Sequence, residues 1–241
     1  MSISENHLLT VKNVTKKFGG QTVLEDINLE FDSGIYSLLS PNGTGKTTLI
    51  KMLATLFFPT KGEILYGGTD ILALDEKYRE KIGYLPQEFG YYKGYTPHRY
   101  LKYLAVLKGV KNPENQIDML LDQVSLTDVK DKKMHDFSGG MVRRVGIAQA
   151  MLGDPEVLIL DEPTSGLDPN QREHFCKMIS DYAKGNKTVI FSTHIVSDID
   201  MVASTVVMFR DQKLLYHDCP SNICAALGAQ NLEQAYRLAH A

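Results

Sequence analysis

Nine consecutive residues, Ser40-Pro41-Asn42-Gly43-Thr44-Gly45-Lys46-Thr47-Thr48, have the composition of a loop that holds phosphate. Glycines at 43 and 45 let backbone N–H groups turn inward around phosphate oxygens, and a helix starting at Lys46 adds its partial positive charge. In that pattern Lys46 reaches the β- and γ-phosphates of a nucleoside triphosphate, Thr47 offers its hydroxyl to Mg²⁺, and Thr48 touches a neighbouring phosphate. Ser40 stands where G-x-x-x-x-G-K-[ST] has its first glycine. That position ends a strand ahead of the cradle, so a local adjustment is expected rather than lost binding. Further along, Val157-Leu158-Ile159-Leu160-Asp161-Glu162 sets two carboxylates at the end of an apolar run. Asp161 would hold Mg²⁺ through its water shell, and Glu162 would polarise an attacking water. An acidic strand end before Pro163 is ordinary turn chemistry when it stands alone. In register after a phosphate loop, it points to phosphoryl transfer to water.

The elements that must position these residues follow from the apolar pattern. Residues 8–14, 22–31 and 34–39 read as strands, separated by Gly19-Gly20 and Asp32-Ser33-Gly34 turns. The phosphate loop comes next, then a helical pattern over 46–56, which together make the strand-loop-helix context such a loop requires. Residues 82–85 form another short strand. From about 91 to 152 the period changes: Tyr100, Leu101, Leu104, Ile117, Leu120, Leu121 and Val124 recur at helical spacing, and Thr96-Pro97 looks like a helix cap with Pro in the first turn. This stretch reads as a helical lobe inserted into an α/β core. Strands at 157–160, 188–192 and 205–209 alternate with helices at 170–182 and 195–202. One phosphate loop and no internal repeat imply one nucleotide domain.

Phe137-Ser138-Gly139-Gly140-Met141-Val142-Arg143-Arg144 resembles the signature of ABC ATPases, and it lies just before the acidic strand, as in that family. Gln87 in Leu85-Pro86-Gln87-Glu88 matches the family's Q-loop, Ser165-Gly166-Leu167-Asp168 its D-loop, and His194 in Ser192-Thr193-His194 its H-loop. Phe18 stands where an aromatic stacks on adenine, without the hydroxyl of the commoner tyrosine. Met141 replaces a more usual glutamine. The resemblance runs from Leu8 to about Tyr216 and is most like bacterial exporter-type ABC ATPases. It implies a P-loop NTPase core with an antiparallel β subdomain and an inserted helical lobe. The ATPase domain would span 7–218, with the lobe at about 91–152 and a short C-terminal tail at 219–241. It further implies that ATP and Mg²⁺ are bound, that Gln87 joins Thr47 and Asp161 at the metal, and that Lys46, Gln87, Glu162 and His194 serve hydrolysis. Ser138, an N-cap before Gly139-Gly140, would leave a helix N-terminus open to an anion. By resemblance Ser138, Gly139, Gly140 and Met141 face the γ-phosphate held by a second nucleotide-binding subunit, identical or related. The motion would drive a membrane-spanning permease from the cytoplasmic face of the cell membrane, as a peripheral subunit. Export is the expected direction. An importer shares every motif and is the alternative.

Composition narrows the rivals. A net charge of -3 gives no electrostatic case for nucleic acid. ABC proteins that act on DNA or ribosomes carry long insertions or a second nucleotide domain, and this chain shows neither. A catalytically dead regulatory subunit is disfavoured by the presence of Lys46, Asp161, Glu162 and His194. The first ten residues lack a basic region followed by an apolar stretch, so no signal peptide is read there. The charge-free run 219–232 is too short and too polar to span a bilayer. Cys176, Cys219 and Cys224, an odd number without a leader, suggest a reducing compartment, and His217-Asp218-Cys219 with Cys224 lacks metal-site spacing. The aromatic stretch Phe89, Tyr91, Tyr92 and Tyr95 leaves two readings open: a groove for a helix of the membrane subunit, or packing between the two lobes.

Overall fold

The computed structural model describes residues 8–241; residues 1–7, which include most of the segment read for a leader and the start of the expected domain, lie outside it. The alternating pattern near the start forms two antiparallel strands, β1 (Leu9–Phe18) and β2 (Gln21–Phe31). They join at Gly19-Gly20, whose φ angles of 51° and 88° suit glycine. β1 runs past residue 14 because register shifts beyond Val14 keep its polar end paired. β3 (Gly34–Leu39) is buried at every position after its first, and α1 (Lys46–Leu53) follows the phosphate loop. The helix stops short of residue 56 because Thr55 takes a positive φ of 59°. β4 (Lys61–Tyr66) and β5 (Thr69–Asp70) complete an antiparallel sheet of order β2-β1-β4-β5.

Two one-turn helices, α2 (Ile71–Leu74) and α3 (Glu76–Arg79), lead to β6 (Ile82–Leu85). The helical lobe is α4 (Pro97–Leu107), α5 (Glu114–Gln123) and α6 (Gly139–Met151). α4 starts as expected, with the Thr96 hydroxyl accepting from Arg99 N at 3.2 Å and Pro97 in the first turn. The α/β alternation then resumes as β7 (Val157–Asp161), α7 (Pro169–Ala183), β8 (Thr188–Thr193), α8 (Val196–Val202) and β9 (Thr205–Arg210). With β10 (Lys213–Asp218) they build a sheet of order β10-β9-β3-β8-β7-β6, parallel except for the β9–β10 pair. β4 and β10 have no counterpart in the sequence pattern. β4 buries only Ile64 and Leu65, and β10 buries nothing, so neither shows a half-buried alternation. Residues 219–241, expected as a short tail, instead form α9 (Pro220–Leu227) and α10 (Leu232–Ala239). They bury Ile223, Leu232, Ala235 and Ala239 in a cluster with Leu39, Val206 and Met208.

The strict period of two in the central strands divides the apolar residues between two cores. Val157, Ile159 and Ile190 pack with Leu49, Ile50 and Leu53 of α1 and with Leu9, Leu24 and Ile27 of the antiparallel sheet. Leu158, Leu160, Val189 and Phe191 pack with the helical side, including Leu101, Leu121, Ile147 and Ile179. α1 is thus held between two sheets, with its N-terminus at the carboxyl edge of the parallel strands. α6 presses on β6 closely enough that a Cβ on Gly83 would lie 1.9 Å from Ala150 O. Gly83→Ala is therefore expected to cost about 1–3 kcal/mol by forcing helix and strand apart. A urea midpoint equal to the parent's would show that the contact gives way freely.

Candidate active site

The carboxyl ends of β3, β6, β7 and β8 open on one edge of the parallel sheet, the edge where ligands bind in such folds. β3 delivers the phosphate loop, and Ser40 explains how the loop does without its first glycine. Its buried hydroxyl donates to Leu39 O at 2.5 Å and accepts from Phe209 N at 2.7 Å, fastening β3 to β9. Gly45 has φ 105°, and a Cβ there would meet Leu24 at 2.5 Å, so the loop's tightest point admits glycine alone. α1 has no side-chain cap, which leaves its first-turn N–H groups to an anion. Lys46 is buried, and its ammonium donates back to Pro41 O at 2.8 Å and to Ser40 O. Desolvation pushes its pKa down, against the opposing pull of the Glu162 and Asp161 charges. Thr44 donates to Pro41 O at 2.9 Å and stiffens the same turn.

β7 delivers the carboxylates. Asp161 is fully buried, pairs with Ser192 across the β7–β8 ladder and accepts from the Ser192 hydroxyl at 2.6 Å. Thr47 Oγ1 lies 3.4 Å from the same Asp161 Oδ1, and Asp161 Oδ2 is buried with no partner. A carboxylate oxygen without a donor beside a threonine hydroxyl is a hard-oxygen set suited to Mg²⁺. Glu162 leaves the strand in a left-handed conformation, φ 55°, with its N–H donating to Ser192 Oγ at 2.9 Å. Its Oε2 lies 2.9 Å from Nδ1 of His194, which follows β8.

A cleft of about 460 Å³ gathers Phe18, Asn42, Gly43, Gly45, Lys46, Thr47, Thr48, Gln87 and Glu162 in its walls, together with Val23. Phe18 is exposed at the end of β1, with the Phe57 ring edge-on at 5.3 Å and Lys16 Nζ 4.6 Å above its ring. Ser40, Pro41, Thr44 and Asp161 shape the cleft from behind rather than line it. Ser138, Gly139, Gly140 and Met141 are not brought to it. Ser138 Oγ caps α6 by accepting from Met141 N at 3.3 Å, and Gly140 sits where a Cβ would be 3.0 Å from Gly166 O. Gly139 lines a separate hollow of about 320 Å³ with Ser165 and Gly166, and Gln87 borders both cavities. The sequence reading missed Ser192 and Arg143. Their signals were a hydroxyl inside a fully buried strand and a charge on the buried face of α6.

A family model described as ABC transporter matches residues 24–165. The linearmycin resistance ATP-binding protein LnrL of Bacillus subtilis is 31% identical over 94% of this chain and 74% of its own length. The bacitracin transport ATP-binding protein BcrA of Enterococcus faecalis is 36% identical over 87% of this chain and 68% of its own. The lantibiotic transport ATP-binding protein SrtF of Streptococcus pyogenes is 31% identical over 95% of this chain and 96% of its own. A solved structure of the ATP binding subunit of an ABC transporter superposes with a TM-score of 0.88 at 26% identity, covering 96% of this chain and 99% of that one.

The hydroxyl that joins the two carboxylate residues supplies a direct test. Ser192→Ala leaves the buried Glu162 N–H unpaired and removes a donor from Asp161, so a loss of about 1–3 kcal/mol is expected in urea unfolding. An unchanged midpoint would mean that the bridge contributes nothing to holding the turn.

Proposed function

The chain belongs to the ABC transporter family as an ATP-binding, ATP-hydrolysing subunit, and on that premise we propose how its residues divide the work of driving export. The observation that carries the reading is the convergence of Lys46, Thr47, Asp161, Glu162 and His194 on one strand edge. Lys46 releases its loop carbonyls to take the β- and γ-phosphates of ATP. Phe18 stacks on the base at the cleft's rim. Thr47 and Asp161, with Gln87 in the cleft wall, are the residues that would hold Mg²⁺, whose charge offsets that building up on the phosphate oxygens. Glu162 orients a water and accepts its proton as the water oxygen bonds to the γ-phosphorus. The bond to the bridging oxygen breaks, and ADP leaves with the electron pair. His194, against Glu162 Oε2, fixes the carboxylate before ATP arrives and meets the γ-phosphate afterwards.

Ser138, Gly139, Gly140 and Met141 lie outside their own chain's cleft, so they serve the ATP held by a second subunit, identical or related. Among the described residues no helix is long and apolar enough to cross a membrane, and the motion passes to a membrane-spanning permease. The subunit works at the cytoplasmic face as a peripheral protein. Export fits relatives named for resistance to linearmycin and for transport of bacitracin and of a lantibiotic. Uptake of substrate into vesicles on the side opposite to the ATPase would support export; movement toward the ATPase side would overturn it.

Two variants test the site together. Lys46→Ala should lose Mg·ATP binding. Glu162→Gln should keep binding while turnover falls by about 100-fold or more. Preserved turnover in Glu162→Gln, followed by phosphate release, would remove Glu162 from the role of base.

The aromatic stretch divides between its two readings. Phe89, Tyr91 and Tyr95 pack against the helical core, while Tyr92 and Tyr103 are exposed with ring centroids 5.9 Å apart. Tyr103, Val106 and Leu107 share one face of α4, with Val106 71% and Leu107 66% exposed. This apolar stripe is the proposed docking surface for a helix of the permease. Replacing Tyr92 and Tyr103 with serine should leave ATP binding intact and reduce co-purification with the membrane subunit and transport. Unchanged co-purification and transport would assign both rings to the lobe's own surface.

A further inference from the structure

Arg143, in the first half of α6, is 6% exposed, and each of its four hydrogen bonds ends on a main-chain carbonyl. Nη1 donates to Pro86 O at 2.8 Å and Gln87 O at 3.0 Å. Nη2 donates to Glu162 O at 2.6 Å and to Asp161 O. Burial depresses the guanidinium's pKa, and the charges of Asp161 and Glu162, with Tyr84 beside them, push it back. A buried cation whose direct partners are neutral carbonyls costs stability that an apolar side chain of similar length would not. The place where those carbonyls meet shows what the cation does.

The β6–β7 ladder ends at the pair Leu85–Leu160. Pro86 has no N–H to carry it further, and Glu162 turns left-handed at φ 55°. Beyond the last pair, the Pro86-Gln87 and Asp161-Glu162 segments present four carbonyls and no mutual hydrogen bond. The planar fork of a guanidinium spans two pairs of acceptors in fixed geometry, which a single ammonium does not. Arg143 therefore continues the ladder through a side chain. It also holds the Glu162 peptide in a conformation that a non-glycine residue seldom adopts.

We propose that Arg143 is a positioning residue for hydrolysis, setting the main chain of Glu162, and with it the Gln87 loop, so that the Glu162 carboxylate meets the attacking water. The inference rests on Glu162 being the base. Arg143 lies outside the walls of the cleft that holds Lys46 and Thr47, so its removal should act on turnover rather than on ATP binding.

The test is steady-state hydrolysis of Mg·ATP by the full-length chain as parent, Arg143→Lys, Arg143→Ala and Glu162→Gln, with ATP binding and thermal midpoint measured for each. Arg143→Lys keeps the charge and reaches one carbonyl pair, and kcat should fall by about 10–100-fold, the scale of a misplaced reacting group. KM and ATP affinity should stay within about threefold of the parent, because ground-state contacts are untouched. Arg143→Ala should fall further and recover part of its kcat when guanidinium ion is added well below denaturing concentrations. Parental kcat in Arg143→Lys, assayed below its thermal midpoint while Glu162→Gln is inactive, overturns the positioning role and leaves the base assignment standing. So does a loss in Arg143→Ala that tracks its thermal midpoint and does not respond to guanidinium. Full turnover in Glu162→Gln overturns the base assignment and the inference with it.

Discussion

The parallel register across β3, β8 and β7 is the constraint on which the rest of the site depends. Leu39 pairs with Thr193, and Asp161 pairs with Ser192. These pairings bring the start of the phosphate loop, the acidic strand end and the residue before His194 to the same height on the sheet. No side chain chooses its place independently, because a slip of one residue would turn each strand's apolar set to the wrong core. The two cores on opposite faces, one around α1 and one around the helical lobe, penalise any such slip twice. The geometry of the candidate site is therefore a by-product of apolar packing several residues away.

Within that frame the site stores a local strain. Glu162 in the left-handed region costs about 1–3 kcal/mol. Its N–H goes to the Ser192 hydroxyl, its carbonyl to the Arg143 guanidinium and its carboxylate to the His194 ring. Main chain and side chain are both held, each by a different element of the fold. The strained turn points the carboxylate away from the strand axis, into the cleft that holds Lys46 and Thr47.

The candidate site was legible where its residues are local in the chain. The loop at 40–48 and the pair Asp161-Glu162 carry their meaning in composition and spacing, and α4's start is written in Thr96-Pro97. Elements with little buried apolar surface were not legible, and β10 buries no residue; α10 does carry helical apolar spacing in Leu232, Ala235 and Ala239, which a reading of 219–241 as a short tail leaves out. Ser192 and Arg143 were opaque for another reason. Each acts on main-chain atoms of a neighbouring strand, and nothing in the sequence near position 143 announces the carbonyls at 86, 87, 161 and 162. Tyr91 and Tyr92 are adjacent, yet one packs inward and the other faces solvent, a choice made by the helical core rather than by residue type.

The close approach of α6 to β6 has a mechanical consequence. Gly83 lets the helix backbone touch the strand, and Gly146, one turn back on the same face of α6, lets Leu85 and Phe89 lie against the helix. α6 is in effect welded to the sheet, although it belongs by sequence to the inserted lobe. Any rocking of that lobe must then be taken up against α6, which shares its core with α4 and α5. Force applied at the exposed end of α4 would be levered onto the residues flanking the weld, Gln87 on one side and Ser138 on the other. A push at α4 would thus reach Gln87 in the cleft wall and Ser138 at the start of α6 without the central sheet having to bend.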